Sequence, residues 1–292
     1  MPEDSPIRLL QEASLQSLAE IRDEVQSLFA RYGSKPHQAT QTLKNLFWYL
    51  SARSQAVSFL VSYGYSWDAE IILRSFYETA AKILFICFAD ENEKPTLIDE
   101  FWNGFGPIND RRTARKATFA EQIFEKGTIS SSILAMLQDG RIFDLEIKGS
   151  KSKRKRLEQK WSFSEIIEHL DQRGAAGKPL KGIKSLLLIY GTASHLIHAD
   201  QAAMDLMHDR AARSPEERKI LEAVHLSRIM SDQVSITWFC AKALCEHFHG
   251  HFSDAAKMRK AFNRTRELAE PLQMTFDDSQ QDFYTRWLSG DS

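Results

Sequence analysis

The sequence has few cysteines and no excess of charge of either sign. Its 292 residues include three cysteines, and 38 Lys and Arg residues nearly balance 39 Asp and Glu residues. Cys87, Cys240 and Cys245 lie inside apolar runs, which is typical of buried reduced thiols and argues against a disulfide framework. The net charge of −1 gives the whole molecule no long-range attraction for nucleic acids or anionic membranes, so any basic site must be local.

Long hydrophobic runs are also missing. The most apolar segments, "ILFICFA" and "SLLLIY", are much shorter than the roughly 20 residues that a membrane span needs. The opening "MPEDSP" is acidic where a secretory signal is basic. We therefore expect no membrane association, no export and a cytoplasmic location.

Helical periodicity is what the sequence does contain. We find no alternating apolar pattern strong enough to predict a sheet, so the fold class is all-α, a long-helix bundle. The predicted helices are 7–31, 38–63, 67–89, 96–104, 111–126, 130–138, one beginning after Ser162 or Ser164, 180–208, 215–249, 253–269 and 277–288. In "SPEER", Ser214 is a cap, Pro215 the first helical residue and Glu217 the completion of a capping box. "GRIFDLEIKG" (140–149) is a short strand or an extended loop.

The same pattern suggests how the chain is organised. We expect an N-terminal helix at 1–36 and a helical core at 37–208, with C-terminal helices at 209–292 packed on that core. Within the core, a basic irregular insertion covers about 106–160.

Two of the inner helices carry polar side chains spaced by four residues, which places them along one stripe. These residues are Glu70, Arg74, Glu78 and Lys82 on the first helix and Tyr190, Ser194 and His198 on the second. If the stripes face each other, Arg74 lies near Ser194 and His198, and a cation, a hydroxyl and an imidazole share one crevice. The alternatives are a ladder of surface salt bridges and a structural His198 that is hydrogen-bonded to Glu78.

Three segments in this order carry a family resemblance. "AEIILRSFYETAAKILFI" (69–86), "KWSFSEIIEHL" (160–170) and "YGTASHLIHAD" (190–200) resemble a bacterial family of unknown function, DUF5677, over about residues 45–205. That resemblance implies a helical fold and no established reaction. The chain is also distantly similar to HEPN helical domains, many of which are endoribonucleases or RNA-binding parts of toxin and phage-defence systems. The HEPN resemblance implies a HEPN-like core and, because such domains are often dimeric, a homodimer.

In HEPN ribonucleases, an Arg precedes the catalytic His by four to six residues on one helix, and the segment before His198 has no such Arg. Arg74 would therefore supply the cation from the neighbouring helix, with His198 as general acid and base. The hypothesis is a metal-independent endoribonuclease, without a cofactor, whose catalytic residues are Arg74, Glu78, Ser194 and His198. The rival is a non-catalytic interaction protein in which these residues form a buried structural network and the C-terminal helices form a homodimer.

The predicted insertion carries a local excess of positive charge. Residues 106–160 contain 13 basic and 7 acidic residues, which makes RNA a candidate partner through phosphate contacts. The predicted nucleic-acid-binding residues are Arg111, Arg112, Arg115, Lys151, Lys153, Arg154, Lys155 and Arg156. The commoner meaning of a run such as "KSKRKR" (151–156) is a solvated flexible loop.

Metal and phosphate-loop motifs are weak. His247, His249 and His251 alternate, so on a helix they point apart. His195 and His198 with Asp200 and Glu78 are a weak alternative ligand set. "NGFGP" (103–107) is predicted to be a loop and lacks the lysine of a P-loop. We predict no metal site.

Overall fold

A computed structural model of the chain describes residues 5–33, 38–140, 151–175, 180 and 182–289. Over these residues the protein is all-α and contains no strand, as predicted. The helices are α1 (Pro6–Tyr32), α2 (Gln38–Ser62), α3 (Ser66–Phe88), α4 (Lys94–Asp99), α5 (Phe105–Glu121), α6 (Ile129–Met136), α7 (Lys151–Lys160), α8 (Phe163–Ala175), α9 (Ser185–His198), α10 (Gln201–Ala212), α11 (Pro215–His247) and α12 (Ala255–Ser289). A π-helical turn, Glu100–Gly104, joins α4 to α5. The chain forms two compact units, a bundle unit (1–88 and 167–292) and an inserted unit (89–166).

Helix α3 is the central helix of the bundle unit. Its side chains are buried on most faces, and Leu73, Phe76, Ile83 and Ile86 are fully inaccessible to solvent. A helix that is apolar nearly all round must be covered by other helices, and α3 packs against α2, α9 and α11. The prediction of a central helix at 67–89 is therefore confirmed.

Helix α11 begins where its capping signal predicts. The Ser214 hydroxyl accepts a hydrogen bond from the Glu217 N–H (3.3 Å), and the Glu217 carboxylate accepts one from the Ser214 N–H (3.0 Å). Pro215 occupies the first turn. The three cysteines are buried and free, also as predicted.

The predicted continuous helix at 180–208 is wrong, because the structure divides it into α9 and α10. Ala199 adopts a left-handed conformation (φ 46°) that ends α9 at His198. Asp200 then caps α10 by accepting a hydrogen bond from the Ala203 N–H (3.3 Å). An Asp that precedes a helical stretch is a standard N-cap signal, so this break was readable in the sequence.

The inserted unit is more helical than expected. The predicted loop at 103–107 belongs to the π-helical turn and α5, and the "KSKRKR" run lies in α7. A Cβ atom on Gly104 would lie 2.8 Å from Leu157 Cδ2, so glycine here lets α7 pack closely on the turn. Residues 141–150, which include most of the predicted strand or extended loop, lie outside the described residues.

The C-terminal region is a single long helix instead of two. α12 continues through Pro271, although proline removes one backbone hydrogen bond. It packs on α1, where Arg264 donates hydrogen bonds to Glu20 (3.1 and 3.2 Å) and Ser17 (3.3 Å). In the part of the chain that the structure describes, none of the helices has the length and apolar character to span a membrane.

Candidate functional site

A polar cluster lies between α3 and α9 and consists of Arg74, Glu78, Tyr190 and Ser194. Arg74 Nε donates to Glu78 Oε1 (3.3 Å), and Arg74 Nη1 donates to Ser194 Oγ (3.4 Å). The Tyr190 hydroxyl donates to the same Glu78 oxygen (2.7 Å). The two predicted stripes therefore meet at these residues.

Arg74 is held in place and still reaches solvent. Its guanidinium lies 4.8 Å from the centre of the Tyr190 ring, and its side chain is 22% exposed. Its hydrogen bonds to Glu78, Ser194 and Tyr190 use at most three of its five N–H donors. Burial, followed by the Glu78 carboxylate, raises the pKa of Tyr190, so this hydroxyl stays protonated. The cluster presents a fixed cation with spare donors.

The first stripe does not stay on one face of α3. Residues four apart on an α-helix are rotated by about 40°, so a row of such residues drifts around the axis. Arg74 and Glu78 face α9, whereas Glu70 faces α11, where it is fully buried. The expectation of a ladder of surface salt bridges is therefore wrong for Glu70.

His198 is the last residue of α9 and is exposed. It forms no hydrogen bond with Arg74, Glu78 or any other described residue, and Tyr190 occupies the position on Glu78 that a structural His198 would take. Its neighbour His195 donates from Nδ1 to Asp200 Oδ2 (2.7 Å). That hydrogen bond lowers the pKa of Asp200. The catalytic role of His198 stays a prediction.

Sequence reasoning missed a second group, the charge network, which consists of Glu70, Tyr77, His225, Arg228 and Asp232 between α3 and α11. Arg228 binds both carboxylates, Glu70 through Nη2 and Asp232 through Nη1 (3.0 Å). The Tyr77 hydroxyl donates to Asp232 (2.6 Å). The spacing of His225, Arg228 and Asp232 places them on one face of α11, which was the signal available in the sequence.

Arg210 fixes the tautomer of His225. A guanidinium only donates hydrogen bonds, so His225 Nδ1 must accept from Arg210 Nη1 (3.0 Å). The ring proton is then on Nε2, which donates to Glu70 Oε2 (3.2 Å). Trp67 covers the pair, with its ring 4.3 Å from the guanidinium carbon of Arg210 and 5.0 Å from the His225 ring.

The network shifts the pKa values of its acids in opposite directions. Burial alone would raise the pKa of Glu70, but the hydrogen bond from His225 and the charge of Arg228 outweigh burial and lower it. Burial raises the pKa of Asp232 despite the nearby Arg228. Burial and the charge of Asp232 raise the pKa of Tyr77 well above its ordinary value. Both acids contact Arg228, as in a structural network, although Glu70 Oε1 has no hydrogen-bond partner among the described residues.

The inserted unit contains a cleft with a volume of about 970 Å³, which we term the basic cleft. It is lined by α4, the π-helical turn, α5 and α7. All eight residues predicted to bind nucleic acid line it: Arg111, Arg112, Arg115, Lys151, Lys153, Arg154, Lys155 and Arg156. The structure thus brings together two basic segments that are about 35 residues apart in sequence.

Most basic side chains of the basic cleft have no acidic partner among the described residues. With Lys160 the lining contains nine basic residues, against the three acids Asp99, Glu100 and Glu158. Glu158 pairs with Arg112, and Glu100 pairs with Lys160 (2.7 Å). No other described residue forms a hydrogen bond or ion pair with the following five side chains: Arg111, Lys151, Arg154, Lys155 and Arg156. These cations are available to an external anion.

The weak metal candidates do not form a ligand set. Within the described ranges, no three His, Cys, Asp or Glu side chains are grouped closely enough to hold a metal ion. His251 is a hydrogen-bond partner of Tyr32 (3.3 Å), and His247 packs on Phe248.

Comparison with protein families gives a match. The profile of the "Family of unknown function (DUF5677)" matches residues 42–215, which is more than half of the chain. The chain belongs to the DUF5677 family. Searches of curated proteins and of solved structures each found no match. The part matched by DUF5677 includes the polar cluster and the basic cleft, whereas His225, Arg228 and Asp232 of the charge network lie beyond it.

Proposed function

We propose that this DUF5677 protein binds RNA through the basic cleft. The observation that supports this is the convergence of eight predicted phosphate-binding residues on one concave surface, five of them without a partner among the described residues. Like charges held close together repel one another, and phosphate groups relieve that repulsion. A chain of net charge −1 that places nine of its 38 Lys and Arg residues in one cleft favours a local polyanion site over non-specific binding across the surface.

RNA is preferred to DNA because the core segments resemble HEPN domains, many of which act on RNA. A single strand is the expected form, since the cleft also contains groups that can contact exposed bases. Asn103 donates to Asp99 (2.8 Å) and so keeps its own amide oxygen available to a base amino group. Double-stranded RNA hides such base edges in a deep groove.

Fluorescence anisotropy with a labelled single-stranded RNA of about 20 nucleotides tests the proposal. The cleft variant carries Arg111→Gln, Lys155→Gln and Arg156→Gln, and the control variant carries Lys257→Gln, Arg259→Gln and Lys260→Gln, three exposed cations of α12. We expect the cleft variant to bind roughly tenfold more weakly or worse, and the control to bind as the wild type does. Equal losses in both variants, or equal affinity of the wild type for DNA of the same sequence, would contradict RNA recognition by the cleft.

The polar cluster supports a second candidate, a metal-independent endoribonuclease. Its spare Arg74 donors could bind a phosphate, and Ser194 lies 3.4 Å from that guanidinium. His198, one turn beyond Ser194 on the same helix, would act as general acid and base.

RNA cleavage in the presence of a chelator tests this candidate. We expect His198→Ala to abolish cleavage without changing the thermal unfolding temperature, and the exposed His208→Ala on α10 to cleave normally. If the wild type does not cleave RNA and Arg74→Met mainly lowers stability, the polar cluster is a structural contact between α3 and α9.

The DUF5677 match does not test several of the expectations from the sequence, which stay predictions. These are the HEPN-like character of the core, a homodimer, a cytoplasmic location and a role in a defence or toxin system. Sedimentation of the purified protein tests the homodimer, and expression of the protein in phage-challenged bacteria tests the defence role.

A further inference from the structure

A groove of about 300 Å³ lies between α1 and α2 in the bundle unit. Its walls are apolar side chains that no helix covers: Leu15 is 46% exposed and Phe59 is 61% exposed. Serines of α2 line the opposite side, among them Ser54 and Ser58, and Thr237 of α11 also lines the groove. The volume is at the lower end of the range for small-molecule sites.

Thr237 is the residue of this groove whose buried hydroxyl is unsatisfied in the described chain. Its side chain is 4% exposed, and its hydroxyl has no hydrogen-bond partner among the described residues. The hydroxyls of Ser54 and Ser58, by contrast, both donate to Gln233 Oε1 (2.9 and 3.3 Å). A buried hydroxyl without a partner is destabilising, and native proteins leave few such groups unsatisfied.

We propose that this groove binds a small, uncharged and largely apolar molecule that carries one hydroxyl or carbonyl oxygen. The apolar body would pack on Leu15 and Phe59, and the oxygen would form a hydrogen bond with the buried Thr237 hydroxyl once the neighbouring side chains shift to admit it. The ligand is uncharged because Arg22 is the one charged residue among those that line the groove in the described chain, and it already lies near Asp23 (3.7 Å). This site is independent of RNA binding.

The occupant is a small molecule rather than a protein helix because one buried polar atom of the groove lining, in the described chain, lacks a hydrogen-bond partner. A helix would bring a row of side chains and would bury far more surface than a groove of this volume offers. A small ligand satisfies the Thr237 hydroxyl and covers the exposed leucine and phenylalanine at the same time.

Titration with 2-naphthol, which is uncharged at neutral pH and has one hydroxyl, tests the proposal, with naphthalene as the matched probe that lacks the oxygen. We expect saturable binding of 2-naphthol, monitored by its fluorescence. Thr237→Val keeps the side-chain shape, so it should weaken 2-naphthol binding about tenfold and leave naphthalene binding unchanged. Absence of saturable binding to the wild type, or equal binding of 2-naphthol to Thr237→Val, would overturn the proposal.

Filling the groove gives a second readout. Ala19→Trp, in the groove, should abolish binding of both probes, whereas Ala30→Trp, on an exposed part of α1 beyond the groove, should bind them normally. If Ala19→Trp does not fold, Leu15→Lys replaces it and should weaken both probes. If the groove variant binds both probes normally, the proposal is overturned. It is also overturned if the wild type is a dimer and the groove variant is a monomer, because the occupant is then a second copy of the chain.

The stability of the ligand-free protein supplies the last check. Because the hydroxyl has no partner in the described chain, Thr237→Val should unfold at the same temperature as the wild type or slightly higher. A clear loss of thermal stability would mean that the hydroxyl is already satisfied, and would overturn the proposal.

Discussion

The charge network of the bundle unit and the basic cleft of the inserted unit use ionisable side chains in opposite ways. In the network, Glu70 is fully buried and contacts His225 and Arg228. In the cleft, nine basic side chains share three acids. In the first arrangement each acid contacts a cation, whereas five cations of the second have no partner among the described residues.

This difference separates a structural role from a binding role. A buried charge is tolerated when its partners are in contact with it, and losing one partner is then costly. An exposed cation without a partner contributes little to stability and can be kept for a ligand. The two regions should therefore respond very differently when one charge is removed.

Removing a charge from the network should have the largest effect on stability. Glu70→Ala leaves Arg228 without one of its two carboxylates and His225 without its acceptor, so we expect a loss of about 3–5 kcal/mol in the free energy of unfolding. Urea denaturation measures this loss. The control is Glu12→Ala, which breaks the exposed pair with Arg8 and should cost less than about 0.5 kcal/mol. If both variants lose the same amount, the network is not structural.

Alkaline pH should weaken the network through Tyr77. Because the folded protein raises the pKa of Tyr77, folding favours its protonated form. The stabilisation that this pKa shift gives the folded protein is complete below a pH of about 10, the ordinary pKa of tyrosine. It is lost as the pH rises through the pKa of Tyr77 in the folded protein. Tyr77→Phe removes the hydrogen bond to Asp232 and should cost about 1–2 kcal/mol at neutral pH.

The Tyr77→Phe variant should lose less stability than the wild type when the pH is raised to about 11. The difference between the two proteins isolates Tyr77, because the other tyrosines are common to both. A parallel decline in both proteins would show that Tyr77 titrates in the folded state as it does in the unfolded chain.

Removing charge from the basic cleft should have the smallest effect on stability. The cleft variant with Arg111→Gln, Lys155→Gln and Arg156→Gln relieves repulsion between like charges, so its free energy of unfolding should be unchanged or higher by up to about 0.5 kcal/mol. Urea denaturation again measures it. A loss greater than about 1 kcal/mol would mean that these cations hold the inserted unit together.

Local signals in the sequence predicted part of this structure well. The capping box at Ser214 and Glu217 located the start of α11, because both hydrogen bonds form within one turn. The eight cleft residues were identified from local charge density. Their convergence on one surface could not be predicted, because it depends on how α7 packs against Gly104 and the π-helical turn.

The charge network could not be predicted for a related reason. The spacing on α11 places His225, Arg228 and Asp232 on one face, but a single sequence does not say which helix that face meets. Glu70 was interpreted as one member of a stripe with Arg74, whereas the drift of residues four apart turns the two toward different helices. The break at Ala199 was missed because Asp200 was considered as a site residue instead of a helix cap.

The salt dependence of RNA affinity tests the central claim most directly. If the basic cleft binds phosphates, the logarithm of the affinity should fall linearly with the logarithm of salt concentration, with a slope of about −0.7 for each phosphate contacted. The cleft variant should have a slope shallower by about 2, since three cations are removed, while the α12 control keeps the wild-type slope. An affinity that does not change with salt, or equal slopes for the wild type and the cleft variant, would contradict the account.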